Sequence, residues 1–530
     1  MTHADIVDAD RAAALIPDGA VVALTGNGGG VLEADEIYAA IERRFLREGH
    51  PHGLTLIHAL GIGDGEQRGL NRFAYEGLVR RVIGGHWSWS PRMQQLAREG
   101  KIEAYALPAG VISALLRESG SNRPGLITRV GLGTFVDPRQ QGGRLNDAAR
   151  DELVSVVEID GVEYLRYHPL NVDVAIVRGS AADSRGNVSL EDEPALLDSL
   201  AAATAAKGRG GKVLCQVKRL SRPGHLDPRL VHLPAPVVDA LVVAPAQWQT
   251  YASEYDPALS GRHVPTTHAT VDGAALMPDV RTIIARRAAL EVVAGSTVNV
   301  GFGISAQVVD VLEAAGRLEE IDLLIEQGAV GGAPVGGALF GVSKAPFALL
   351  PSTNQFDLFA ARILDLCVLG MAEVDPVGNV NVSYVGENAV GPGGFIDIAQ
   401  GATKAVFCGT FTARGLKVAV RDGGLDIVQE GAVPKFVERV RHITYSAQLA
   451  REERRSAIYV TERAVFELRP EGLALIEVAP GIDIERDVLS HMDFAPIVDD
   501  VRTMPADVFR SGPLNGVAPQ LAANASTTAL

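Results

Sequence analysis

DVAIVRGSAADSRGNVSL (173–190) and DLCVLGMAEVDPVGNVNV (365–382) are two versions of one segment. Each opens on an Asp before an apolar run and closes on Asp-x-x-Gly-Asn-Val. Asp183, Gly186, Asn187 and Val188 carry that ending in the first, Asp375, Gly378, Asn379 and Val380 in the second. Asp173 matches Asp365, and Gly179 and Ala181 match Gly370 and Ala372 with one residue of slip. A strand, a turn and a second strand explain the pattern. Asp and Asn side chains close turns on their own backbone, and Gly supplies positive φ.

Two weaker echoes precede this repeat, in the same order in both halves. IPDGAVVALTGNGGG (16–30) resembles VVAGSTVNVGFGIS (292–305), and LTLIHALG (54–61) resembles DLLIEQGA (322–329), which registers His58 with Glu326. Ordered self-similarity at this separation implies two related domains. They are expected at 1–275 and 276–515, joined near VPTTHATVDGAALMPD (264–279), with a frayed tail at 516–530. A chain of 530 residues exceeds one ordinary core in any case.

Short β-branched runs recur along both halves: VVALTG (21–26), VDVAIVRGS (172–180), ALVVAPA (240–246), STVNVGFG (296–303), IDLLIEQG (321–328), LDLCVLGM (364–371) and KAVFCGTF (404–411). Helix-like stretches such as AQVVDVLEAAGRL (306–318) lie between them. Strands alternating with helices predict an α/β fold, each domain a mostly parallel sheet flanked by helices.

Composition removes several function classes. The formal net charge of −15 opposes nucleic-acid binding, which needs a basic face. It leaves small anions open, because helix N-termini and backbone N–H groups bind them without net positive charge. No run approaches the ~20 apolar residues of a membrane span. MTHADIVDAD lacks a basic start and an apolar core, so a cytoplasmic protein is expected. Cys215, Cys367 and Cys408 lie far apart and read as small core residues in a reducing compartment. No metal-ligand spacing, G-x-S-x-G elbow or P-loop is present, so no metal is expected.

Four glycine-rich segments follow strands. In IEQGAVGGAPVGGALFG (325–341), Glu326 ends an apolar run and enters a loop with little side-chain bulk. Ligands of parallel α/β sheets bind beyond the carboxyl ends of the strands, so a carboxylate here suits a nucleophile approached by a bulky substrate. A solvated strand-end Glu beside a turn is the plainer alternative. NVGFGISAQVVDVL (299–312) reads as strand, anion-binding turn and helix. It also fits G-x-G-x-x-A, which leaves open a dinucleotide site with Glu326 on a ribose hydroxyl. TGNGGGVLEADEIYAAI (25–41) repeats the strand–turn–helix pattern, with Val31 breaking the dinucleotide motif. GENAVGPGGFID (386–397) is either a positive-φ turn or an oxyanion hole of backbone N–H groups. Within RGLNRFAYEGLVRRVIGGHWSWSPRM (68–93), the aromatics and His86 are candidates for a pocket wall.

At these motifs the chain resembles the family I CoA-transferases of the 3-oxoacid CoA-transferase superfamily, in particular the single-chain acetate/propionate group. RGLNRFAYEGLVRRVIGGHW (68–87), VGLGTFVDPR (130–139), GGAPVGGALFG (331–341), GPGGFIDIAQGATKAVFCGTF (391–411) and ERAVFEL (462–468) carry the resemblance across roughly 15 to 510. It implies an N-terminal alpha-subunit-like and a C-terminal beta-subunit-like domain, fused. It implies ping-pong transfer of CoA from a small acyl-CoA to a carboxylate through a glutamyl-CoA thioester on Glu326. Coenzyme A is then a substrate, with no permanent cofactor. The resemblance places Gly301, Phe302, Gly303 and Ile304 against CoA and Gly393 and Gly394 at the oxyanion. It places Gly28, Gly29, Ala109, Gly110 and His58 around the substrate pocket, in a homodimer or homotetramer.

One departure bears on the chemistry. Many members have Pro-Gln-Gly where this chain has Pro108-Ala109-Gly110, and that glutamine amide helps hold the oxyanion. Losing one such donor costs ~10²–10³ in rate. Asn27 and Gln327 are the candidate replacements, and Ala109 would enlarge the acyl pocket. A hydrolase on the same scaffold and a non-catalytic CoA- or dinucleotide-binding protein are the rival functions.

Overall fold

The computed structural model describes residues 4–222, 224–263, 277–421 and 423–514. The expected boundary at 275/276 and the tail at 516–530 lie outside these residues.

Two sheets dominate. In the first, strands lie in the order Asp5–Val7, Ala240–Val243, Lys212–Ser221, Val174–Asp183, Val21–Leu24, Leu54–His58, Val79–Gly84, Glu103–Ala106, and every neighbouring pair is parallel. In the second the order is Asp322–Leu323, Thr297–Val300, Leu366–Gly370, Lys404–Cys408, Ser456–Val460, again parallel. It then continues through Ala464–Arg469 and Gly472–Val478 as antiparallel strands and ends on Ile497–Thr503. This edge fits a mostly parallel sheet: only a few residues separate Ser456–Val460, Ala464–Arg469 and Gly472–Val478, too few for a crossover helix, whereas Ile497–Thr503 returns parallel after a longer connection.

The repeat is physical. Asp183 accepts the backbone N–H of Asn187 at 3.0 Å and its side-chain amide at 3.0 Å. Asp375 accepts the same two groups of Asn379 at 2.9 Å each. Asp173 accepts the N–H of Val21 at 2.9 Å, and Asp365 that of Thr297 at 2.8 Å. With Val21 equivalent to Thr297, the ladders fix the remaining register. Val21 pairs with Thr55, and Thr297 pairs with Asp322. Counting from there, Ala59 is the counterpart of Glu326, one residue on from the His58 that the sequence echo selects. A one-residue slip turns a strand residue to the opposite face.

Helices cover the sheets. Asp35–Glu48 shows the local logic: Asp35 and Glu36 favour its N-terminal dipole, Ile37, Tyr38, Ala40 and Ile41 bury one face, and Gly49 ends it at φ 73°. A continuous apolar core runs through both halves. Backbone bonds also cross between them: Trp87 N–H donates to Val390 O at 2.8 Å, Gly393 N–H to Gly85 O at 2.8 Å, and Ala109 N–H to Gly393 O at 2.8 Å. These three contacts place the Val390–Gly394 loop of the second half against strand ends and a helix start of the first.

Candidate active site

The second sheet has its topological switch between Thr297–Val300 and Leu366–Gly370. From the first of these the chain crosses to the Asp322 side, and it returns on the other. Such switch points leave a crevice at the carboxyl ends of the strands. A cavity of about 370 Å³ occupies this place. Its wall combines Val300, Gly301, Leu369 and Gly370 from those strand ends with Glu326 and Gln327. The Gly391–Phe395 loop and Ile398 add another side, and the first half contributes Asn27, Leu60, Gly61, His86, Ser88 and Trp89. The cavity therefore needs both halves.

Glu326 sits in the turn beyond strand Asp322–Leu323, after buried Leu324 and Ile325, and its side chain borders this space. Burial pushes the carboxyl up to about 7, against opposing hydrogen bonds from the Gln327 side chain and the Gly394 amide. Gln327 Nε2 donates to Glu326 Oε1 at 2.9 Å and to Asn27 Oδ1 at 3.2 Å. Asn27 in turn donates to Phe340 O at 3.0 Å. The carboxylate is thus oriented from one side by an amide chain reaching into the first half. On the other side stands Gly394, where any Cβ would collide with Glu326 Oε2.

A second buried carboxyl lies behind the first. Asp397, in the opening turn of helix Phe395–Gly401, accepts the Gly110 N–H at 3.2 Å at the start of helix Ala109–Gly120. Burial raises it to about 8, the charge of Glu326 adds to the rise, and the amides of Gly110 and Val111 oppose it. Nothing in the sequence marks this Asp, whose partners come from a helix 287 positions away.

The structure divides the expected site residues. Glu326, Asn27, Gln327, Gly301, Phe302, Gly393 and Gly394 border the cavity. Phe302 is 57% exposed and meets Phe340 edge-on with centroids 5.1 Å apart. Gly303, Ile304, Gly28, Gly29, Ala109, Gly110 and His58 do not border it. The reasons are local. Gly28 lies against the Trp89 indole and Gly29 against the Ala338 carbonyl, so their missing side chains admit neighbouring protein instead of a ligand. Ala109 is buried with its amide on Gly393 O, and Gly110 has its amide on Asp397, so Ala109 does not enlarge this cavity. His58 faces the sheet interior, bonded through Nδ1 to Leu60 O at 2.7 Å and edge-on to Trp87. Gly393 gives its N–H to Gly85 O, so of the two glycines expected at an oxyanion only Gly394 directs its amide at Glu326.

Trp89 joins the wall, as expected for the aromatics of its segment, and Phe340, Phe395 and Ser88 join it without having been singled out. All but Ser88 are large apolar groups, the usual lining of a small-molecule site. His86 borders the cavity as its segment suggested, and burial, aided by His58, lowers it to about 4, so the ring is neutral. Among the described residues one group has donor atoms close enough to share an ion: Asp18, His50 and His52, exposed at the amino ends of the first sheet. Asp18 meets His50 Nδ1 at 2.9 Å and His52 Nδ1 at 3.1 Å. That cluster spans separate loops and is invisible to local spacing, and it lies at the opposite end of its sheet from the carboxyl-end residues that wall the cavity. No described helix is long and apolar enough to cross a membrane.

Comparison with known proteins agrees with this geometry. The coenzyme A transferase family model matches residues 6–244. The chain is 39% identical over 520 residues to acetate CoA-transferase YdiF of Escherichia coli, covering 98% of this chain and 97% of that one. It is 40% identical to caffeate CoA-transferase of Acetobacterium woodii, over 96% and 97% of the two chains. A crystal structure of the Escherichia coli acyl-CoA transferase YdiF, a thioester complex with CoA, matches with a TM-score of 0.92 at 38% identity over 98% of both chains. With similarity of this order over nearly the whole length, and a shared two-sheet α/β fold, the chain belongs to the coenzyme A transferase family and is a CoA-transferase.

Proposed function

We propose that this enzyme moves CoA from a small acyl-CoA, such as acetyl-CoA or propionyl-CoA, to a free carboxylic acid through a covalent intermediate on Glu326. The observation that carries the reading is a carboxylate that is desolvated, pre-oriented and aimed into a cavity. Desolvation makes a carboxylate a better nucleophile, because its attack no longer requires stripping of a full hydration shell.

Glu326 attacks the thioester carbonyl, and the tetrahedral oxyanion collapses to an acyl-glutamyl anhydride with release of CoA thiolate. The thiolate attacks the glutamyl carbonyl, freeing the first acid and leaving a glutamyl-CoA thioester. A second carboxylate attacks that thioester, and the returning thiolate takes the new acyl group, which regenerates Glu326. Thioester energy is conserved throughout, so ATP has no part in the cycle. In our reading the Gly394 N–H and the Gln327 and Asn27 amides stabilise the successive oxyanions in place of the glutamine missing at Ala109. The loop from Gly301 to Ile304 receives CoA. We place the enzyme in the cytoplasm, consistent with three buried free cysteines, as two fused domains in a homodimer or homotetramer.

The test is peptide mass spectrometry after brief exposure to acetyl-CoA or propionyl-CoA without an acceptor acid, followed by acid quench. A CoA adduct on the Glu326 peptide is expected. Steady release of CoA without an adduct would replace transfer by hydrolysis.

A further inference from the structure

The cavity wall also restricts the acid. Among the described residues that line it, Glu326 and His86 are the only ionisable side chains, and none is Lys or Arg. His86 is neutral at physiological pH. Arg68 and Arg92, from the same segment as the wall residues His86 and Trp89, lie over the Tyr251 and Tyr75 rings and are not part of the wall. The amides of Asn27 and Gln327 are uncharged and bond Phe340 O and Glu326, at the reacting carboxylate, so neither neutralises a second one. Most of the remaining surface is apolar, with Trp89, Phe340, Leu369, Val382, Phe395 and Ile398 contributing to it.

We propose that the transferred acyl group is that of a monocarboxylic acid with an uncharged, apolar chain longer than that of acetate, and that this wall excludes dicarboxylic acids. The inference rests on the Glu326 reading. A reacting carboxylate loses its charge on entering the anhydride or thioester, so it makes no lasting demand on the wall. A second carboxylate stays charged throughout. It would be desolvated with no cation to pair with and would stand near the oxyanion of each tetrahedral step. An unpaired buried charge is costly enough to lower kcat/KM by at least ~100-fold. On the apolar side, each methylene that leaves water for this wall raises kcat/KM about fourfold until the space is filled.

The experiment uses the full chain at pH 8 with propionyl-CoA as donor. Acceptors are acetate, butyrate, hexanoate and 3-phenylpropionate, with succinate as the four-carbon match to butyrate. The CoA adduct on Glu326 and the turnover of Glu326→Gln are followed in parallel. Expected are butyrate at least ~100-fold above succinate in kcat/KM and a rise from acetate to hexanoate. Succinate within tenfold of butyrate, a flat aliphatic series, or an adduct that no apolar acid discharges would each overturn the proposal while leaving the covalent reading intact. Undiminished turnover by Glu326→Gln without an adduct would instead overturn the covalent reading.

Discussion

Glu326→Gln should make the protein more stable above neutral pH while abolishing transfer. The folded carboxyl is raised from its ordinary 4.5 to about 7, chiefly by burial. A folded value above the unfolded one means that the native chain binds this proton more tightly. The stability contributed by the group is therefore fully present below pH 4.5, is lost as pH rises to about 7, and stays lost beyond. The interval of about 2.5 units corresponds to roughly 3 kcal/mol at 1.36 kcal/mol per unit. Glu326 keeps partial contact with the cavity, which reduces this figure, and a neutral amide cannot accept from both Gln327 and Gly394, which costs about 1 kcal/mol more. About 1–2 kcal/mol of net stabilisation is left for the variant at pH 8 and none at pH 4.5. Denaturant unfolding of wild type and variant from pH 4.5 to 8.5 measures it, with the difference growing between pH 4.5 and 7 and level above. A difference independent of pH, or one that shrinks as pH rises, would refute the account of Glu326 as a desolvated carboxylate held for attack.

Three further outcomes follow from the same geometry. In the proposed donor half-reaction the glutamate attacks ionised, so the rate of CoA release should fall about tenfold per pH unit below about 7 and be flat above it; Asp397, raised to about 8, is still protonated in that range, so Asp397→Asn should leave the limb in place, and a limb moved to lower pH would refute this order of ionisation. Gly394→Ala puts a methyl group onto Glu326 Oε2 and displaces the one loop amide aimed at it, so transfer should drop by at least ~10²–10³ with the circular dichroism spectrum unchanged. Arg178→Ala leaves Glu193 buried without its 3.0 Å partner and should cost ~3–5 kcal/mol in urea unfolding, with Arg178→Ala/Glu193→Gln recovering part of the loss.

The parts of the fold that rest on local chemistry were legible in the chain. The Asp-x-x-Gly-Asn turns announce themselves because Asp183 and Asp375 satisfy their own loops, and buried parallel strands read as continuous apolar runs. Glu326 was legible because a strand-end carboxylate before many glycines is unusual. What depended on register or on the other half was not. The match of Ile57 to Ile325 by residue type brought His58 opposite Glu326, whereas the ladder bonds shift that pairing to Ala59. Gly28, Gly29 and Gly110 look like ligand-facing glycines in one dimension, yet each makes room for protein: Trp89, the Ala338 backbone and Asp397. Gly393 and Gly394 are adjacent and alike in sequence, and only tertiary pairing of Gly393 with Gly85 separates their roles. The wall residues Trp89 and Phe340 come together only when the two halves close on one another.

The same register explains how the two halves of a duplicated fold differ at equivalent places. Val174 corresponds to Leu366, so Arg178 occupies in the first sheet the place of Gly370 in the second. Gly370 has no side chain, and a Cβ there would meet nothing within 4 Å, so the crevice beside it stays open. Arg178 stands at the corresponding place and borders a cavity of about 330 Å³ whose wall is charged, with Asp192, Glu193, Lys218 and Arg219 among its residues. Its guanidinium donates to Gly30 O at 3.1 Å, Trp248 O at 2.6 Å and Gln249 O at 3.1 Å, and Glu193 neutralises it at 3.0 Å. The counterpart of Glu326 in that half is Ala59, whose carbonyl abuts Gly85, the residue that accepts the Gly393 N–H. One half has thus placed a neutralised cation at its switch point and turned its strand ends into a clamp for the other. The open half keeps an uncharged crevice in which a carboxylate is left desolvated. On the proposed mechanism neither half can do the chemistry alone: Glu326 and the Gly394 amide come from the second, and the contacts that hold both in place come from Asn27, Gly85 and Ala109 of the first.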